Sequence, residues 1–106
     1  MSRDLRGSIT LDGGPGSGPQ ATAAQHATNK AASESKKAWA ATRAAVSKSG
    51  HVEAAKQHGA ASAAHQFAAS KNRAAGNSSQ AKFHDRKDAQ HLERSKGHSM
   101  TAKGMS

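Results

Sequence analysis

From His51 to Ala75 the chain reads HVEAAKQ, HGAASAA, HQFAASK, NRAA: three full sevens and the start of a fourth. His51, His58 and His65 recur every seven residues, and so do Ala54, Ala61, Ala68 and Ala75. Seven residues make nearly two helical turns, so this period, kept over several turns, marks a helix with one face pressed on a neighbour. Here that face is almost wholly alanine. Side chains so small let two helices approach toward the lower end of the usual separation of about 8–10 Å, and they offer few knobs to lock a register.

The period extends on both sides. Ala24, Ala31, Ala38 and Ala45 fall every seven residues, with Ala27 and Ala41 in the intermediate turn and Ala32, Trp39 and Val46 widening the stripe. This predicts one helix from about residue 21 to 48, closed by Ser49-Gly50 as a glycine cap, and a second from about 51 to 75. Gly59 inside the second costs about 1 kcal/mol relative to alanine and is read as a close approach of another backbone. Gly76-Asn77 breaks the pattern, and Ser78 or Ser79 can cap a third helix running to about Lys96. That helix has its own heptad, His84, His91 and His98, with Phe83, Leu92, Ala81 and Ala89 as its apolar residues. Being polar nearly all round, it is the helix that most needs a partner.

The ends read differently. Residues 1–12 hold a short alternating piece, Ser8-Ile9-Thr10-Leu11, suited to one weak strand or to an arm added to another chain's sheet edge. GGPGSGPQ, residues 13–20, carries four glycines and two prolines and is a linker. Residues 97–106 lack periodicity and are expected to form a flexible tail. The expected fold is therefore all-α. Two or three alanine-rich amphipathic helices over 21–96 follow a flexible N-terminal arm, as a helical hairpin, a three-helix bundle or long helices laid along a partner.

Composition limits what can hold such helices together. Of 106 residues only 34% are hydrophobic, and most of these are alanine. Burial yields roughly 25 cal/mol per Å² of apolar area, against about 1–2 kcal/mol per residue for ordering the backbone. A monomer with a dry core is not expected; either the chain is partly disordered, or its order comes from copies of itself or from a partner. Trp39 and Phe67 are the expected anchors, buried in this chain or in an assembly. The interface is placed at Ala24, Ala31, Ala38, Trp39, Ala45, Ala54, Ala61, Phe67, Ala68 and Ala75.

The formal charge is +9, spread along the chain. It suits a polyanion (DNA, RNA or an acidic protein surface), and equally a solvated helical face with surplus lysine. Lys36, Lys37, Arg43, Lys71, Arg73, Arg86 and Lys87 are the candidate phosphate contacts, for salt-sensitive and sequence-independent binding. Three aromatic residues are too few for single-strand stacking platforms, and no zinc finger, basic zipper or clear helix-turn-helix appears. With no cysteine there is no disulfide framework and no thiol nucleophile. No apolar run is long enough to span a membrane, and residues 1–12 lack the core of a signal peptide.

Seven histidines invite a metal reading, which geometry mostly opposes. Helical residues seven apart are separated by about 10.5 Å, too far to share an ion, and no two histidines have the i,i+4 spacing of HExxH. His84, Asp88 and His91 come nearest, with two imidazoles and a carboxylate on one face; the plainer reading gives histidine a polar flanking position in each heptad. As pH-dependent charges, the seven would add to the +9 on acidification and tighten any grip on a polyanion. No GxSxG motif holds a serine nucleophile, and GGPGSG lacks the GK[ST] ending of a phosphate loop. No catalytic residue, cofactor or metal is assigned, and an enzyme is not expected.

The pairing of the GGPGSGP linker with Ala/His heptads, carried by LDGGPGSGPQ, HVEAAKQHGAASAAHQFAA and AGNSSQAKFHDRKDAQH, resembles segments of tailed-bacteriophage structural and head-assembly proteins. The resemblance covers roughly half the chain. It implies a non-enzymatic virion or assembly role, with self-association or other virion proteins as partners and the virion, or the host cytoplasm during assembly, as its place. Scaffold-type proteins are acidic whereas this chain is basic, which points to a protein retained in the particle, near packaged DNA or an acidic capsid, portal or tail surface. The alternative is a small nucleoid-type protein of the bacterial cytoplasm that coats DNA non-specifically.

Overall fold

The structure, a computed structural model, describes residues 18–105. The N-terminal arm and the linker up to residue 17 lie outside them. The described residues form three helices, α1 (Gly18–Ala44), α2 (Lys48–Ala74) and α3 (Ser78–Lys103), with no strand among them. The chain runs up, down and up. Contacts pair His51 with His98 and His65 with His84, so α2 and α3 are antiparallel, while Thr28 meets His84 and Thr42 meets His98, so α1 and α3 run in parallel. The all-α expectation holds, in its three-helix form.

The helix ends differ from the sequence reading, each for a local reason. α1 starts at Gly18 and takes Pro19 and Gln20 from the linker, since a proline in the first turn gives up an N–H that has no helical partner there. It stops at Ala44 rather than Lys48, and no glycine caps it. Ser47 instead begins α2, with extended backbone and a side chain accepting from the Gly50 N–H at 3.1 Å. Gly50 therefore lies in the first turn of α2. A Cβ there would come within 3.2 Å of the Ala45 Cα, so its bareness lets the α1–α2 turn close tightly. At Gly59 a Cβ would meet only the Ser95 hydroxyl at 3.8 Å, and no neighbouring backbone approaches it.

α2 ends as the break at Gly76-Asn77 suggests. Gly76 has φ 83°, its N–H bonds the Arg73 carbonyl, and the Asn77 N–H reaches back to the Asn72 carbonyl at 2.8 Å. Asn77, not Ser78 or Ser79, precedes α3, and its side chain donates to Asn72 rather than capping the helix. α3 passes through Gly97 to Lys103, so most of the expected flexible tail is helix. His98 and the buried Ala102 hold that last stretch against the bundle.

Alanine supplies the close packing. Ala24, Ala31, Ala38, Ala54, Ala61 and Ala68 are all buried within a single chain, joined by Ala27, Ala55, Ala69, Ala81 and Ala102. The stripes read as an intermolecular interface thus meet one another inside one bundle. Ala45 and Ala75, at the two turns, are only half-buried. Where α3 departs from alanine, its polar side chains bond to α2: Asp88 accepts from Ser62 and Gln66, and Ser95 donates to the Ala55 carbonyl at 2.8 Å.

The two glycines that α3 and the α2–α3 turn contain should respond oppositely to a methyl group. Gly97→Ala, with nothing within 4 Å of the new Cβ, should stabilise the bundle by about 1 kcal/mol through helix propensity. Gly76→Ala should destabilise it by about 1–2 kcal/mol, because its left-handed backbone strains any L side chain. Urea unfolding followed by circular dichroism at pH 7.5 checks both.

Candidate functional site

Helices this rich in alanine approach closely enough for longer side chains to reach across the seam. Histidine does so here. His51, His58 and His65 on α2 face His98, His91 and His84 on α3, the numbers rising by seven on one helix as they fall by seven on its antiparallel partner. In each pair the two Nδ1 atoms lie within hydrogen-bond distance, at 2.8, 2.7 and 2.8 Å in that order. Successive rings also touch between pairs. Ring centres of His98 and His58 are 5.7 Å apart and those of His91 and His65 5.4 Å apart, in stacked orientation, so six imidazoles form one column along the bundle.

The outer edge of the column is bonded to α1, which carries a third heptad, of hydroxyls. Ser35 Oγ meets His91 Nε2 at 2.8 Å and Thr28 Oγ1 meets His84 Nε2 at 3.1 Å. Thr42 Oγ1 meets both His58 Nε2 at 2.6 Å and His98 Nε2 at 2.9 Å. Asn72 closes one end, donating to Thr28 Oγ1 and to the Ala68 carbonyl while accepting from Asn77. Trp39 covers the middle, edge-on to His58 at 4.8 Å with the Arg94 guanidinium over its ring.

Protons in this network are constrained by its partners. A neutral pair holds one proton between its Nδ1 atoms, so one ring donates and the other accepts. Thr42 has one hydroxyl proton for two imidazoles, so at least one of His58 and His98 donates to it. At the other end His65 Nε2 is buried without a partner. An orphaned lone pair costs less than an orphaned N–H, which assigns the Nδ1–H tautomer to His65. His84 then accepts at Nδ1 and donates from Nε2 to Thr28.

Burial is the main reason that His58, His65, His84, His91 and His98 resist protonation. His58 and His65 are pushed down from 6.5 to about 4, first by burial and then by neighbouring imidazoles, with Arg94 adding to the effect on His58 and Lys87 to that on His65. Asp88 opposes the shift of His65. His84, His91 and His98 are lowered too, burial again leading, with Asp85 opposing at His84 and Asp88 at His91. A first proton on a pair keeps the Nδ1–H···Nδ1 bond but places a charge among buried alanines. A second sets two N–H groups head to head.

The remaining sequence candidates fall elsewhere. His84, Asp88 and His91 do not converge: the two imidazoles turn to His65 and His58, and the carboxylate to Ser62 and Gln66. Among the described residues no three such groups come together in a way that could hold a metal ion. Phe67 is 55% exposed in the single chain, because the inward positions of its turn belong to His65, Ala68 and Ala69. It carries the Lys71 ammonium over its ring at 5.2 Å. Lys36, Lys37, Arg43, Arg73 and Arg86 are exposed and Lys71 and Lys87 half-exposed, spread over all three helices rather than gathered on one. Arg73 is paired with Asp85, and Lys37 lies 3.9 Å from Glu34.

Both histidine heptads are visible in the sequence, but they face inward instead of flanking the seam, and Thr28, Ser35 and Thr42, not among the candidates above, join them. Their common spacing of seven was the available signal. Comparison with protein-family models, curated proteins and solved structures finds no match for this chain.

The sign of the pH dependence follows from the lowered values. Above pH 6.5 both folded and unfolded chains keep these rings neutral; between 6.5 and about 4 the unfolded chain takes up protons that the folded chain refuses. Stability should therefore fall as pH drops through that window, by about 3 kcal/mol at pH 4 for each of His58 and His65 taken alone. Since small domains have only about 5–15 kcal/mol in hand, the bundle should unfold near pH 4–5. Thermal unfolding by circular dichroism from pH 8 to pH 4 checks this, at fixed ionic strength.

Proposed function

We propose that the protein is a non-enzymatic structural component that works through its basic exterior. It is held against packaged DNA or an acidic capsid, portal or tail surface of a tailed-phage particle. The observation that carries this reading is the division between inside and outside. The alanine rows and six of the seven histidines are used within the chain, and the charged side chains are left around the outside. Residues 1–17 hold two arginines and two aspartates, so the full +9 belongs to residues 18–106. Among the described residues Lys36, Arg43 and Arg86 have no acidic partner. Cations dispersed over three helices suit a surface of diffuse negative charge better than one shaped ligand. No helix among the described residues is long and apolar enough to cross a membrane.

The same dispersal favours the second reading, a nucleoid-type protein coating DNA without sequence preference. Both require polyanion binding by a folded unit, and they part over where the chain is found.

Titration of the purified protein with a random-sequence DNA duplex and with polyglutamate tests the shared premise. Affinity for at least one should fall by a factor of ten or more between 50 and 200 mM salt. Failure to bind either at 50 mM salt contradicts the proposal. Recovery of the chain at fixed copy number in purified phage particles supports the virion reading, and its recovery only with host chromosomal DNA supports the other.

A further inference from the structure

α1 and α3 run in parallel and are bridged mainly by side chains, which leaves a surface cleft of about 310 Å³ between them. Its apolar surface comes from Ala32, Trp39 and Phe83, with Lys36 and Lys87 at its border and no acidic residue in its lining. His65 belongs to that lining although only 3% of the residue is exposed, and its Nε2 is the buried nitrogen without a hydrogen-bond partner. The Phe83 ring stands edge-on to it, with centres 6.5 Å apart, and is itself 39% exposed, so it has room to turn aside.

These three features ask for different parts of one ligand. The walls ask for a flat apolar body. Two ammonium groups with no ion-pair partner among the described residues ask for an anion; Lys87 lies near the Gln90 amide and over the Phe83 ring. The Nδ1–H tautomer assigned to His65 above leaves its Nε2 with a bare lone pair, which asks for an O–H or N–H donor and not for an acceptor.

We propose that the α1–α3 cleft binds a small aromatic acid bearing a ring hydroxyl. The ring lies against Trp39 and Phe83, the carboxylate meets Lys36 and Lys87, and the hydroxyl donates to His65 Nε2. No bond is made or broken. Occupancy would satisfy the one buried orphan in the column, and the site shares Lys36 and Lys87 with the basic exterior used in the polyanion reading.

Trp39 is the only tryptophan of the chain and lies in the cleft, so its fluorescence reports occupancy directly. Three probes separate the contributions: 4-hydroxyphenylacetate, phenylacetate without the hydroxyl, and 4-methylphenol without the carboxylate. At pH 7.5 the first should give a saturable change, with phenylacetate about tenfold weaker because the buried acceptor stays unpaired. The exposed double substitution Lys36→Ala and Lys87→Ala should weaken 4-hydroxyphenylacetate severalfold and leave 4-methylphenol unchanged, with the helical circular dichroism intact. A nitrogen-15 spectrum of the histidine rings should show His65 Nε2 as the nitrogen most shifted by the hydroxylated acid. No saturable change with 4-hydroxyphenylacetate up to 10 mM, or equal affinity for phenylacetate, overturns the proposal.

Discussion

The structure depends on one contact repeated three times, an imidazole Nδ1 of α2 set 2.7–2.8 Å from an imidazole Nδ1 of α3. Histidine is a short side chain for spanning two helices. The contact is met only because the intervening residues, Ala54, Ala61 and Ala68 on α2 and Ala81 on α3, occupy so little space. Alanine alone would leave the helices free to slide, since it offers neither knobs nor directional bonds. Paired imidazoles remove that freedom: a shift of one turn would strand six ring nitrogens at once, those of His58, His65, His84 and His91 on buried side chains, and buried polar groups without partners are costly. The hydroxyl row of α1 extends the same register to the third helix through Thr28, Ser35 and Thr42.

Register in this bundle is thus set by polar groups, in the way a single buried asparagine sets it in a coiled coil, but here along almost the whole seam. The arrangement ties the core to neutrality. Imidazole can be both donor and acceptor only while uncharged, and burial first, then proximity to other rings, keeps His58 and His65 so. The excess positive charge is carried on the exterior by lysine and arginine, whose charge does not change across the range in which the core titrates. Acidification therefore acts first on the fold. The expectation that protonated histidines would simply strengthen a basic surface gives way for His58, His65, His84, His91 and His98, whose burial holds them below the ordinary value.

Much of the fold could be read from the chain, and the reasons differ from element to element. The heptads of alanine mark two helices and a heptad of histidines the third, and Gly76-Asn77 marks the second turn, because a glycine with left-handed backbone leaves a strong local signature. The first turn was misplaced since Ser47 and Gly50 act in reverse of the expected order: the serine starts a helix and the glycine, already inside it, yields room to Ala45. Gly97 was read as a stop, but a glycine within a helix only weakens it, and His98 with Ala102 supplies enough tertiary contact to carry α3 onward. The column itself was half visible. A period of seven in α2 and another in α3 are one-dimensional facts, and only the antiparallel pairing turns them into contacts. Counting apolar area argued against a single-chain core because it assigned nothing to hydrogen-bonded histidine, which fills the volume that leucine or isoleucine would occupy elsewhere.

The central claim is that six histidines form neutral, mutually bonded pairs at neutral pH. The most direct measurement is a long-range proton–nitrogen correlation spectrum of the imidazole rings of nitrogen-15-labelled protein at pH 7.5. The account predicts six rings held in single tautomers, with one Nδ1–H in each of the pairs 51/98, 58/91 and 65/84 and with His65 as an Nδ1–H tautomer, beside one ring, His26, averaged as in water. Six or seven rings showing the same solvent-averaged mixture of tautomers, each titrating near 6.5 while the helices persist, would contradict it.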